Sequence, residues 1–197
     1  GLDENNLFTY LDAAIRAVQD AKAAVRFFRR YADQFRIDTS QIFALGTSAG
    51  AYTSLSLAYL DKSEVPFFID IDKLGGLEGE SGTPGYPSNI HGVVSMWGAL
   101  LDTSWIQPGN PPLLGIHGTA DTVVPYNVGV LGGLPQYGSV ALAERAAHLG
   151  IRSELFLFNG AGHSLDDDAA LLDSAFHIST RFLYSILDCN TQTTGAT

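Results

Sequence analysis

Residues 42–52 read Ile-Phe-Ala-Leu-Gly-Thr-Ser-Ala-Gly-Ala-Tyr, an apolar run that ends in Gly-x-Ser-x-Gly and continues into residues that suit a helix. A serine hydroxyl is a weak nucleophile unless it is held clear of its own backbone and next to a base. A sharp strand-to-helix turn does this, so the stretch predicts a nucleophile elbow with Ser48 at its tip. Gly46 and Gly50 are expected because side chains there would meet the neighbouring strand or helix. Gly-x-Ser-x-Gly alone says little in a chain with 21 glycines in 197 residues. The strand-like run before it and the helix-like segment after it supply the context the motif needs.

Upstream, residues 7–31 place Leu7, Leu11, Ile15, Val18, Val25 and Phe28 at helical spacing, with charged residues opposite. Downstream, a helix is expected over 49–60. Residues 61–89 carry Gly75-Gly76, Gly79, Gly82, Pro84, Gly85 and Pro87. So many breakers predict an irregular excursion over the surface, with a rim or lid over a cleft as its functional alternative. Apolar runs at 90–97, 112–117 and 153–158 read as buried strands, and 139–149 and 166–188 as helices. Strands that alternate with helices and read as continuous apolar runs imply a parallel sheet covered on both faces. One domain over 1–190 with a loose tail at 191–197 is expected.

The chain is 46% hydrophobic and carries a formal charge of −10. That charge argues against a nucleic-acid or anionic-membrane partner, since both need a basic surface. No apolar run reaches the length of a membrane span. Cys189 is the single cysteine, so neither an internal disulfide nor a CxxC site can form. Asp166-Asp167-Asp168 could suggest a metal site, but acidic residues at a helix N-terminus meet its dipole favourably, and no metal or other cofactor is expected. The first residue is Gly1, which suggests a processed protein or part of a longer one.

A serine nucleophile needs a base, and the base needs an orienting carboxylate. His117-Gly118-Thr119-Ala120-Asp121-Thr122-Val123-Val124-Pro125 follows the third strand directly, and Asn159-Gly160-Ala161-Gly162-His163-Ser164 follows the fourth. Functional groups in open α/β sheets collect outside the carboxyl ends of the strands, so Ser48, Asp121 and His163 are expected to converge on one crevice. His117 is the competing histidine and reads as structural, while His91, His148 and His177 have no comparable setting.

These three blocks, Gly46-Thr47-Ser48-Ala49-Gly50, His117 through Pro125 and Gly160-Ala161-Gly162-His163, resemble those of bacterial carboxylesterases of the α/β-hydrolase superfamily. The likeness runs from about Leu7 to Asp188. It implies a three-layer α/β-hydrolase sandwich with a mostly parallel sheet, here its C-terminal part. It further implies Ser48 as nucleophile, Asp121 as acid, His163 as base and the Ala49 N–H as an oxyanion donor, with Trp97, Val124 and Tyr126 lining a pocket for a small-molecule ester of short acyl or carbohydrate-linked type. The family places further strands and a His-Gly-Gly oxyanion loop before the long helix. Their absence from this sequence implies an unpaired edge along 42–45, covered by a separate N-terminal chain or by a second copy of the chain, or left bare. A minimal hydrolase drawing its second donor from residues 74–86 is the alternative. Two other functions stay open: a serine peptidase of the prolyl-oligopeptidase kind, and a non-catalytic binding partner.

Overall fold

The computed structural model describes residues 7–65, 69–165 and 168–187. Four strands, β1 (Ala44–Thr47), β2 (Val93–Met96), β4 (Leu113–Gly118) and β7 (Ser153–Phe158), form one parallel sheet in the order β1-β2-β4-β7. Successive residues of a strand point to opposite faces. Val93 and Leu113 accordingly join one apolar cluster with Ile15, Val18, Leu55 and Leu142. Val94 and Leu114 join a second with Phe158, Ala175 and Phe182. The first face is covered by α1 (Leu7–Arg30), α3 (Ala49–Tyr59) and α4 (Ser139–His148), and the second by α5 (Ala169–Ile186). Three layers result, with the central strands β2 and β4 buried from both sides and the edge strands β1 and β7 partly exposed.

Helix α1 presents Leu11, Ile15, Val18 and Val25 to this core, each at most 7% exposed. Burying side chains of that size contributes about 1.5–3 kcal/mol apiece. A four-residue helix, α2 (Ala32–Phe35), follows and ends on Arg36 in the left-handed region. Asp168 caps α5, its Oδ1 accepting from the Ala170 and Leu171 N–H groups at 3.0 and 3.2 Å. That capping accounts for the third aspartate of the triplet; Asp166, Asp167, Cys189 and the expected tail at 191–197 lie outside the described residues. Among the described residues no acidic, histidine or cysteine cluster could hold a metal ion, and no helix is long and apolar enough to cross a membrane.

Three features differ from the sequence expectation. The elbow strand occupies 44–47 rather than 42–45: Ile42 O already accepts from His91 N–H at 2.7 Å, but the regular parallel register runs from Ala44 opposite Val93 to Thr47 opposite Met96. A second, antiparallel sheet also appears, built from β3 (Ala99–Leu100), β6 (Leu134–Gly138) and β5 (Val128–Leu131) in that order. Gly132 and Gly133 turn the β5–β6 hairpin at φ 59° and 81°, backbone angles that favour glycine.

The third difference concerns the 61–89 excursion. It leaves the far end of α3 and returns to the start of β2, so it lies at the amino ends of the strands, away from Ser48. It is bound tightly to α1: Gln19 Nε2 donates to Leu74 O and Gly76 O at 2.8 and 2.7 Å, and Arg26 donates to Glu78 O and Ser81 O at 3.0 and 2.8 Å. Lys22 and Arg26 both pair with the Glu78 carboxylate, at 2.9 and 2.6 Å. Gly79 is required by the fit, since a Cβ there would stand 2.9 Å from the Gln19 Cβ. From 74 to 88 the segment is a strap along α1, and Ile69 before it lines an apolar cavity that also reaches Ala49, next to Ser48.

Candidate active site

Ser48 joins β1 to α3 at φ 48°, ψ −120°, a strained conformation for a residue with a side chain. Its N–H is bonded to Met96 O at 3.0 Å, which ties the turn to the neighbouring strand. Gly46 is obligatory, because a Cβ there would lie 2.1 Å from Gly50 O. Gly50 is not: nothing stands within 4 Å of the Cβ it lacks, so the steric reason expected for both glycines holds only for the first.

At the carboxyl end of the parallel sheet the loops after β1, β4 and β7 meet. Ser48 Oγ is 2.8 Å from His163 Nε2, and His163 Nδ1 is 2.8 Å from Asp121 Oδ2. The Asp121 side chain is fully buried and His163 is partly exposed, so the imidazole stands between a desolvated carboxylate and the surface. Asp121 Oδ1 accepts from the Val123 and Val124 N–H groups at 2.8 and 2.9 Å. The β4–β7 loops are brought this close by Gly118, where a Cβ would stand 2.3 Å from Ala161 O. Ala49 opens α3, so its N–H has no acceptor within the helix and is free to meet an oxyanion beside Ser48.

Sequence reasoning assigned His117 no part in the site, yet its Nε2 is 3.1 Å from Asp121 Oδ2 and its side chain is fully buried. Burial pulls its pKa below the ordinary histidine value, against the pull of Asp121. The signal was present: His117 and Asp121 stand four residues apart across one turn. Trp97, at φ 45°, and Val124 are buried in the fold, and Tyr126 is half-buried. An apolar cavity of about 260 Å³ opens instead between α1 and α3, lined by Tyr10, Ala14, Ala49, Tyr52, Leu100 and Trp105 among others. Tyr52 holds its place there by donating to the buried Gln136 Oε1 at 2.7 Å, and burial raises its pKa further above neutrality.

Residues 11–100 match the family model BD-FAE. No curated protein matches the chain. Among solved structures, esterase 2 of Thermogutta terrifontis phosphoramylated by tabun is 22% identical with a TM-score of 0.68, over 88% of this chain and 65% of that one. The same esterase with propionate bound is 20% identical with a TM-score of 0.64, over 86% and 64%. A truncated carbohydrate esterase from gut microbiota is 23% identical with a TM-score of 0.63, over 86% and 67%. The chain thus spans about two thirds of the length of these esterases. Sheet order, helix placement and these likenesses together identify the architecture as the α/β-hydrolase fold.

Proposed function

We propose that the chain carries the catalytic triad of a carboxylic ester hydrolase, with Ser48 as nucleophile, His163 as general base and Asp121 as its orienter. The continuous contact from Ser48 Oγ through His163 to Asp121, 2.8 Å at each step, is the observation that carries this reading. In the reaction Ser48 Oγ attacks the ester carbonyl while His163 Nε2 takes its proton. Asp121 accepts from Nδ1–H and so keeps Nε2 free for that task. The Ala49 N–H faces the developing oxyanion, and His163 returns its proton to the departing alcohol. Water then attacks the acyl-enzyme by the same route.

The acyl group left on Ser48 is short and apolar, with the cavity lined by Ala49 and Tyr52 as the space beside the nucleophile. Trp97, Val124 and Tyr126 contribute shape around the strand ends rather than a free wall. Short-acyl and carbohydrate-linked esters are the substrate class favoured, in line with neighbours described with bound propionate and as a carbohydrate esterase.

The test reads the nucleophile directly. A fluorophosphonate should label Ser48, as mapped by mass spectrometry, and the label should vanish in Ser48→Ala and fall sharply in His163→Ala. Labelling at another serine, or labelling that survives Ser48→Ala, refutes the assignment.

A further inference from the structure

We propose that His117 is a positioning residue: its Nε2–H locks the Asp121 carboxylate and, by sharing Oδ2 with His163, sets how strongly that carboxylate raises the basicity of the catalytic imidazole. The inference rests on the triad assigned above. It begins with proton bookkeeping. His117 Nε2 lies 3.1 Å from Asp121 Oδ2 and 3.2 Å from Val124 O, and both of these groups only accept. Nε2 therefore carries the proton. Nδ1 lies 2.9 Å from Ser139 Oγ, a hydroxyl that can donate to it when the ring is neutral. The downward pull of burial on the His117 pKa favours that neutral form.

Gly115 makes this arrangement possible. A Cβ at that position would stand 2.9 Å from Ser139 Cβ and 3.2 Å from its Oγ, so only glycine lets the first residue of α4 settle over β4 and reach His117. The result is a line of donors, Ser139 to His117 to Asp121. The carboxylate then receives four N–H groups, two backbone donors on Oδ1 and two ring donors on Oδ2. With every lone pair engaged it cannot rotate. The charge of Oδ2 is divided between two imidazoles, so it stabilises a His163 imidazolium less than an unshared oxygen would. Among the described residues the other titratable groups coupled to this trio are Tyr52 of α3 and, through it, Tyr10 of α1. Burial raises both phenol pKa values, so neither gains charge while a histidine titrates.

The consequence is read by NMR of ring ¹⁵N-labelled histidines in the whole chain, titrated from pH 5 to 9. His117 should carry its proton on Nε2, and the midpoint read for His163 in the wild type is the reference for the variants. In His117→Gln the amide nitrogen falls near the former Nε2 and still reaches Asp121, so the His163 midpoint should stay within about 0.2 of wild type. In His117→Asn the amide reaches only the Nδ1 position, and the His163 midpoint should rise by roughly half a pH unit to one. The two variants are both polar and are compared only with thermal unfolding confirming the native fold. Should His117→Asn not fold, Ser139→Ala is the second arm, in which Nε2 should keep its proton because Asp121 Oδ2 and Val124 O still only accept, and a proton moved to Nδ1 overturns the proposal. A wild-type His117 that carries its proton on Nδ1 overturns it too, as does a His163 midpoint identical in folded Gln and Asn variants. The readout is titration rather than turnover, so a failure of Ser48 labelling and a failure of the positioning role are separate results.

Discussion

Ser48 and Gly46 show how few atoms decide the elbow. The serine accepts a positive φ of 48° because α3 must begin at once, and Gly46 is the only residue type that lets Gly50 O pass beneath it at 2.1 Å from the missing Cβ position. Gly46→Ala is expected to destabilise the protein by about 2–4 kcal/mol or to prevent folding, since backbone rather than a flexible side chain is in the way. Gly50→Ala should do the opposite. Gly50 has open space and lies in the first turn of a helix, where alanine restricts the unfolded chain, so a gain of about 0.4–1 kcal/mol is expected. Urea denaturation of the two variants checks both signs, and a destabilised Gly50→Ala would show that the second glycine serves the fold after all.

At the scale of elements, the strap over α1 replaces apolar packing with charge. Arg26 is only 4% exposed and Glu78 is the carboxylate it meets, while Lys22 and Ser88 share the other oxygen. Burial works against the Glu78 charge, yet Lys22, Ser88 and Arg26 hold its pKa below the ordinary value. A folded-state carboxyl held low contributes stability that is complete above its unfolded pKa, near 4.3, and is lost as pH falls through the lower folded value. Glu78→Gln should therefore lower Tm at pH 7 by roughly 2–6 °C, for a loss of about 1–2 kcal/mol, with the deficit shrinking below pH 4. Scanning calorimetry at pH 7 and pH 3.5 measures this, and an equal deficit at both would assign the effect to shape. None of the strap was legible in the sequence, because Gln19, Lys22 and Arg26 meet partners 52 to 66 residues away. The parallel strands were legible, because strands buried on both faces leave uninterrupted apolar runs. No strand was read at 126–138, although Gly132-Gly133 is a turn signal between Val128–Leu131 and Leu134; Pro135 is the residue that fits such a hairpin least well. The structure resolves the conflict: β3 pairs only with Gly138 and Tyr137, so Pro135 owes no N–H to that side. The convergence of Ser48, Asp121 and His163 was readable because each lies in a loop that follows a strand end. His117 read as structural, and its contact with Asp121 was not legible because it depends on which ring nitrogen meets which acceptor.

Across the whole molecule, the parallel sheet has two edges among the described residues, β1 and β7. Strand β1 pairs with β2 alone there, and Leu45 on it is 43% exposed. An edge with unpaired backbone groups and an exposed apolar side chain is a template for another strand. Leu45→Lys should lower light scattering of the protein at micromolar concentration and leave Ser48 labelling within about twofold, because charge on an edge discourages strand addition. Unchanged scattering would move the source of association elsewhere, for instance to the exposed Val128 and Val130 of the hairpin.

The two ends of the sheet are thus occupied by different work. The Ser48, His163 and Asp121 side chains meet where the strands stop, and the strap at 74–88 is anchored where they start. Pro84, Gly85 and Tyr86 are exposed on that strap, and no Cβ contact stands within 4 Å of Gly85. In a chain whose Cys189 is replaced by serine, a cysteine placed at the exposed Tyr86 would serve as a tether to a solid support, and a surface coated through that thiol would present the molecules with the Ser48 turn facing the solution.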